Sequence, residues 1–148
     1  MSTKMNTKQM GDACEMLVAG EMTLAGVPAI KMPDNWPGYD VIAQPKDGRA
    51  PQRISVKSRT FKRGGDTFVD YYAKDEFDWL AIVLLSGADQ SKRRFFIVPK
   101  AIADVRWFKK KAKDPSDMYC RQDKVAETLP EFEDNFCLSM TGLAKQQD

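Results

Sequence analysis

Asp40 and Lys57 are the side chains in this 148-residue chain whose types and spacing most directly suggest chemistry. Asp40 lies in Gly38-Tyr39-Asp40-Val41-Ile42-Ala43, and Lys57 in Ile54-Ser55-Val56-Lys57-Ser58-Arg59. Both segments alternate apolar and polar residues, and the turn-rich Pro45-Lys46-Asp47-Gly48-Arg49-Ala50-Pro51 separates them, which predicts a β-hairpin. A carboxylate able to hold a divalent cation, beside an ammonium, is the minimum equipment for metal-assisted phosphodiester cleavage. On the second strand Ile54, Val56 and Ser58 are expected to share one face, and Arg53, Ser55, Lys57 and Arg59 the other. The same spacing also fits an ordinary edge hairpin with a solvated face, in which Asp40 is a turn residue and Lys57 plain surface.

Composition narrows the chemistry. The chain contains no histidine, which removes Ser-His-Asp and Cys-His nucleophiles, histidine-ligated zinc and histidine general bases. Catalysis must run on carboxylates, lysine, hydroxyls or a metal held by oxygen ligands, which points to Mg²⁺ or Mn²⁺. Cys14, Cys120 and Cys137 are odd in number and scattered, so reduced thiols and no structural zinc are expected. No apolar run reaches the roughly 20 residues of a membrane span. The first residues lack the apolar core of a signal peptide, so a cytoplasmic protein with no membrane partner is expected.

The net charge of +2 hides an uneven distribution. Lys46 to Arg63 carries seven basic residues and one acid, Lys92 to Lys113 nine and one, and Asp114 to Asp134 two and seven. Basic stretches of this kind suit a polyanionic partner, and equally suit solvated faces of opposite sign.

The elements that must position these residues follow from periodicity. Lys8 to Ala25 reads as a helix with Met10, Cys14, Leu17, Val18, Leu24 and Ala25 on its apolar side and Glu15 at the edge of that stripe. Ala29 to Met32 reads as a short strand, and Pro33 to Gly38 as a rigid loop. Asp66 to Ala73 is β-rich, and Lys74 to Asp78 fits one helical turn. Trp79 to Leu85 fits a strand buried on both faces, and Arg94 to Val98 another strand. Lys100 to Lys111 is predicted helical, with Ile102, Val105 and Phe108 inward and Lys109, Lys110 and Lys111 at its solvated end. Phe136 to Met140 is a candidate edge strand. The class is α/β in one domain, with a core over residues 8–112 and a C-terminal extension over 113–148.

Three short motifs carry a family resemblance. Gly11 to Arg59, about a third of the chain, resembles the core of the PD-(D/E)XK nuclease superfamily, in particular archaeal Holliday junction resolvases and related small endonucleases. Those proteins begin with a helix bearing Gly-x-x-x-Glu, here Gly11 to Glu15. They continue with a strand opening on a metal-binding aspartate, here Asp40, and close on Glu-Val-Lys-Ser-Arg, here Ser55-Val56-Lys57-Ser58-Arg59. The resemblance implies a restriction-endonuclease-like α/β fold with a mixed central sheet between helices, and a metal-dependent DNA endonuclease. It implies Asp40 and Glu15 as ligands of Mg²⁺ or Mn²⁺, with the Val56 backbone carbonyl as a further ligand and Lys57 as the catalytic lysine. It also makes a homodimer plausible, since cutting both strands of a duplex takes two copies of so compact a domain.

The chain departs from the pattern where the family's second metal-binding acid should stand, because Ser55 is there. Some restriction enzymes of the superfamily with Ser-x-Lys draw a glutamate from a downstream helix. Glu76, beside Asp75 and Asp78, is the candidate here, although capping and solvation of a short turn also account for those acids. If no acid replaces it, the chain is expected to be a catalytically inactive nuclease-like fold that binds nucleic acid or protein. Arg59, Lys62 and Arg63 follow the catalytic strand and are the expected phosphate contacts, with Trp36 positioned to stack on a base.

Overall fold

The computed structural model describes residues 5–61, 67–86, 92–106, 109–110 and 117–143. Lys62, Arg63 and Lys111 therefore lie outside the described residues.

The first helix, α1 (Thr7–Leu24), starts where Asn6 accepts the Gln9 N–H and the Gln9 side chain accepts the Asn6 N–H. This reciprocal cap satisfies two N–H groups that the helix itself cannot bond. Cys14, Val18 and Met22, four residues apart, form its buried stripe, while Leu24 at the final turn is exposed. Gly26, at φ 97°, adopts a left-handed conformation that suits glycine and turns the chain into the sheet.

The main sheet is mixed, in the order β1 (Ala29–Lys31), β2 (Val41–Ala43), β3 (Gln52–Phe61), β5 (Trp79–Ser86), β6 (Arg93–Pro99). β3 and β5 run parallel, and the other pairings are antiparallel. β5 explains the continuous apolar run. Trp79, Ala81, Val83 and Leu85 meet α1 in one core, while Leu80, Ile82 and Leu84 enter a second core on the opposite face. That second face is closed by α2 (Lys100–Arg106), α3 (Val125–Thr128) and a smaller antiparallel sheet, ordered β4 (Phe68–Tyr72), β8 (Asp117–Arg121), β7 (Lys109–Lys110). The architecture is the α/β one expected, a mixed sheet between flanking elements. No helix among the described residues is long and apolar enough to cross a membrane.

Several elements differ from the sequence reading. α2 ends at Arg106, and Lys109–Lys110 pair with Tyr119 and Met118 as a strand. Long-range pairing with β8 decides their conformation, overriding the helical preference that lysine has on its own. The inward residue of α2 is Ala103, with Ile102 half-buried, whereas Val105 is 88% exposed; Phe108 lies outside the described residues. Lys74 to Asp78 is no helical turn: the Asp75 N–H closes a tight turn on the Tyr72 carbonyl and the chain then straightens. Phe136 to Met140 forms turns rather than a strand, with Leu138 at φ 57° buried in the first core. Leu129 and Phe132 are likewise buried in the second core, so the C-terminal stretch completes both faces of the sheet.

Candidate metal centre

The site forms where β2 enters the sheet beside β3. The Asp40 N–H donates to the Ile54 carbonyl at 2.9 Å, although the next residue, Val41, is the register partner of Ile54. Two residues of the incoming chain thus face one of β3, an arrangement of the bulge type that breaks strict alternation and re-aims a side chain. The Asp40 Oδ2 accepts the Val56 N–H at 2.8 Å, and the Asp40 carbonyl accepts the Met32 N–H at 2.8 Å. Asp40 is therefore tied to β1 and β3 at once, and its carboxylate lies along the edge of β3.

Glu15 approaches this carboxylate from α1, near enough for the two charges to interact. Burial first, and then the Asp40 charge, push the Glu15 pKa up to about 7, with Lys31 opposing the shift. Two close carboxylates cannot both ionise cheaply without a cation between them, so the pair holds a proton near neutrality.

Lys31 is the residue that sequence reasoning missed. Its Nζ lies 3.4 Å from Asp34 Oδ1 and 3.9 Å from Asp12 Oδ1, and it donates to the Met32 carbonyl at 3.3 Å. Lys8 joins the group, at 2.9 Å from Asp12 and 3.3 Å from Asp34. Hydrogen bonds from Lys8 and Lys31 hold the Asp34 carboxyl below its usual range. The signal in the sequence is the spacing of Lys8, Asp12 and Glu15, which places all three along one side of α1.

The other expected site residues are placed differently. Ser55 and Lys57 pair with Leu80 and Ile82, on the face of β3 opposite α1. Lys57 is half-buried and forms no ion pair or side-chain hydrogen bond with any described residue, so it does not join Glu15 and Asp40 in one contact set. Ser55 is only 7% exposed. The tie between Val56 and Asp40 runs through the Val56 N–H rather than its carbonyl. Glu76 is not drawn to the carboxylate pair: its side chain is 86% exposed and faces Arg53 at 3.7 Å. Asp78 also holds Arg53, through the backbone N–H at 2.8 Å and the guanidinium at 3.2 Å. Arg59 is engaged with Asp70 and with the Phe68 and Ser58 carbonyls, which gives it a role in joining the two sheets. Trp36 is 45% exposed and sits edge-on to Tyr39, with ring centroids 6.2 Å apart.

No group of three or more acidic, cysteine or histidine side chains is arranged to enclose a metal among the described residues. The donor set still fits a small hard cation. Mg²⁺ is commonly bound by one or two carboxylates, with water and substrate phosphate completing its shell. A carboxyl pair that holds a proton at about pH 7 gains from exchanging it for a divalent ion.

No family model matches this chain, and no curated protein matches it. Among solved structures, it is similar to a bacterial homing endonuclease, I-Ssp6803I, with 18% identity and a TM-score of 0.49, over 66% of this chain and 72% of that one. It is also similar to Hjc, a Holliday junction resolvase from the archaeal hyperthermophile Archaeoglobus fulgidus, with 17% identity and a TM-score of 0.44, over 78% and 90% of the two chains.

Proposed function

We propose that the protein is a metal-dependent DNA endonuclease of the restriction-endonuclease-like kind, hydrolysing phosphodiester bonds with Mg²⁺ or Mn²⁺. The observation that carries this reading is the Glu15–Asp40 carboxyl pair, fixed against the Val56 N–H at the point where β2 joins β3. Glu15 and Asp40 would hold the ion, with the Val56 carbonyl as the third protein ligand. When bound, the ion supplies an acidified water and a polarised phosphoryl oxygen. Asp40, held by hydrogen bonds to β1 and β3, keeps its carboxylate in place as charge develops. Lys57 has no acid partner among the described residues, but it stands on the face of β3 opposite α1, so the reading rests on the carboxyl pair and not on this lysine. Cutting both strands of a duplex would call for a second copy of the chain.

A second reading, a nuclease-like module that binds without cutting, is favoured by two placements. Ser55 is buried where the superfamily has an acid, and Lys57 makes no contact with Glu15 or Asp40. Supercoiled, linear, branched and single-stranded DNA incubated with Mn²⁺ separates the two. Cutting that Asp40→Asn abolishes supports the enzyme. Salt-sensitive binding without cutting under any divalent metal supports the module.

A further inference from the structure

An ammonium that works beside the Glu15–Asp40 pair must stand on the α1 side of the main sheet, and Lys57 does not. Lys31 does. It ends β1, two residues after Ala29, which packs against the first core under α1, so alternation along the strand puts Lys31 on the same side. Its register partner is Val41, the neighbour of Asp40, and the next N–H, that of Met32, donates to the Asp40 carbonyl at 2.8 Å. From α1, Asp12 approaches the Lys31 Nζ to 3.9 Å, and Glu15 follows Asp12 by three residues along that side of the helix. The Lys31 charge already acts on Glu15, whose pKa it pulls down against burial and Asp40.

Two features fit this ammonium to a phosphate. The first is an open donor. Nζ carries three N–H groups, of which the Met32 carbonyl at 3.3 Å and Asp34 Oδ1 at 3.4 Å take two, while Asp12 at 3.9 Å is beyond hydrogen-bond reach. The side chain is 23% exposed, and β1 is the edge strand of the main sheet, so a ligand can approach from outside. The second feature is charge. Lys8 and Lys31 stand among Asp12, Glu15, Asp34 and Asp40. With a divalent ion in place of the proton that the carboxyl pair holds, two ammonium charges and the two of the ion offset four carboxylates. Without Lys31 the same group would be left with one net negative charge, which repels a phosphodiester.

We propose that Lys31 is the cation that meets the nucleic-acid phosphate at the Glu15–Asp40 pair, in the part that the motif gave to Lys57. The proposal rests on the nucleic-acid reading above and names a residue for it that lies outside all three short motifs. The part is a charge and a hydrogen bond to a non-bridging phosphate oxygen; no bond at Nζ is made or broken. Asp34 and the Met32 carbonyl hold the side chain in place for it.

The test uses the full chain and three variants. Lys31→Met removes the charge at nearly constant length, and Lys31→Arg keeps it; Lys31→Gln is read in place of Lys31→Met if circular dichroism shows the latter unfolded. Binding of labelled branched and single-stranded DNA is followed by fluorescence anisotropy with and without Ca²⁺, a gel confirming that the DNA stays intact, and plasmid nicking is followed with Mn²⁺. Lys31→Met should lose about tenfold or more in Ca²⁺-dependent binding, the scale of one hydrogen bond to a charged group. Its nicking should slow about 10²–10³-fold. Lys31→Arg should recover most of both losses, since it restores a charge and its donors. Mn²⁺ affinity titrated without DNA should not fall in Lys31→Met, because a positive charge beside the carboxylates has gone. Binding and nicking by Lys31→Met at the wild-type level overturn the proposal. So does a drop in its Mn²⁺ affinity that matches the loss in DNA binding, which would make Lys31 a prop of the metal centre. A wild type that nicks, with Lys31→Met nicking equally, removes Lys31 and leaves the nuclease reading standing. A wild type that never nicks, but whose Ca²⁺-dependent binding falls in Lys31→Met, does the reverse. A wild type that neither nicks nor binds DNA more tightly with a divalent ion removes both.

Discussion

The carboxylate of Asp40 caps the peptide N–H of Val56 at 2.8 Å, one residue before Lys57. The same side chain thus fixes the local path of β3 and offers its charge to a cation. These two duties can be separated by mutation.

Asp40→Asn keeps an amide oxygen to accept the Val56 N–H, so its unfolding free energy should stay within about 0.5 kcal/mol of the wild type. Asp40→Ala leaves that N–H without its acceptor and should lose about 1–3 kcal/mol. Both should lose Mn²⁺ binding. Urea denaturation and Mn²⁺ calorimetry on the two variants check this, and equal stability losses would mean that the cap contributes nothing.

Glu15, with its pKa raised from 4.5 to about 7, binds a proton in the folded state that the unfolded chain has already released. Between those values the native state holds more protons, so this group's contribution to stability falls as pH rises through the window and stays low above it. Glu15→Gln should flatten that part of the stability–pH curve and raise stability at pH 8. Metal affinity should follow the opposite course, weakening about tenfold for each pH unit below about 7 as the proton competes. Thermal melts and Mn²⁺ titrations from pH 4 to 9 read both slopes.

Lys57→Ala should leave the melting temperature nearly unchanged, because the ammonium contacts no acid among the described residues. Cleavage should fall by less than about tenfold, because Lys57 stands on the sheet face opposite the carboxyl pair and its charge acts on the phosphate only through solvent. Plasmid nicking with Mn²⁺ measures the rate. A large stability loss with undiminished nicking would reassign Lys57 to structure.

Ser55→Glu would restore the acid of the superfamily motif at a position that is buried and paired with Leu80. A carboxylate there without a cation should destabilise the metal-free protein by several kcal/mol. Added Mn²⁺ should recover most of that loss, giving a larger metal-dependent rise in melting temperature than the wild type shows. Identical rises in the two proteins would place residue 55 outside the metal's reach.

What the sequence by itself determined was local. The capped helix over Thr7–Leu24, the alternating strand through Ile54 to Arg59 and the doubly buried strand from Trp79 are written in periodicity and turn residues within one short window. Asp40 and Glu15 could be named from short motifs, since each motif fits on a single element. What the tertiary structure decided was partnership. Arg53 takes Glu76 and Asp78, Arg59 goes to Asp70, Lys31 comes to stand beside Glu15, and Lys109–Lys110 pair as a strand. Each of these choices joins elements far apart in the chain, and Coulomb attraction and strand pairing act on distance in space. The lysine that motif spacing grouped with two carboxylates therefore lies on the other face of the sheet, as alternation along β3 demands once Ile54 and Val56 are packed against α1.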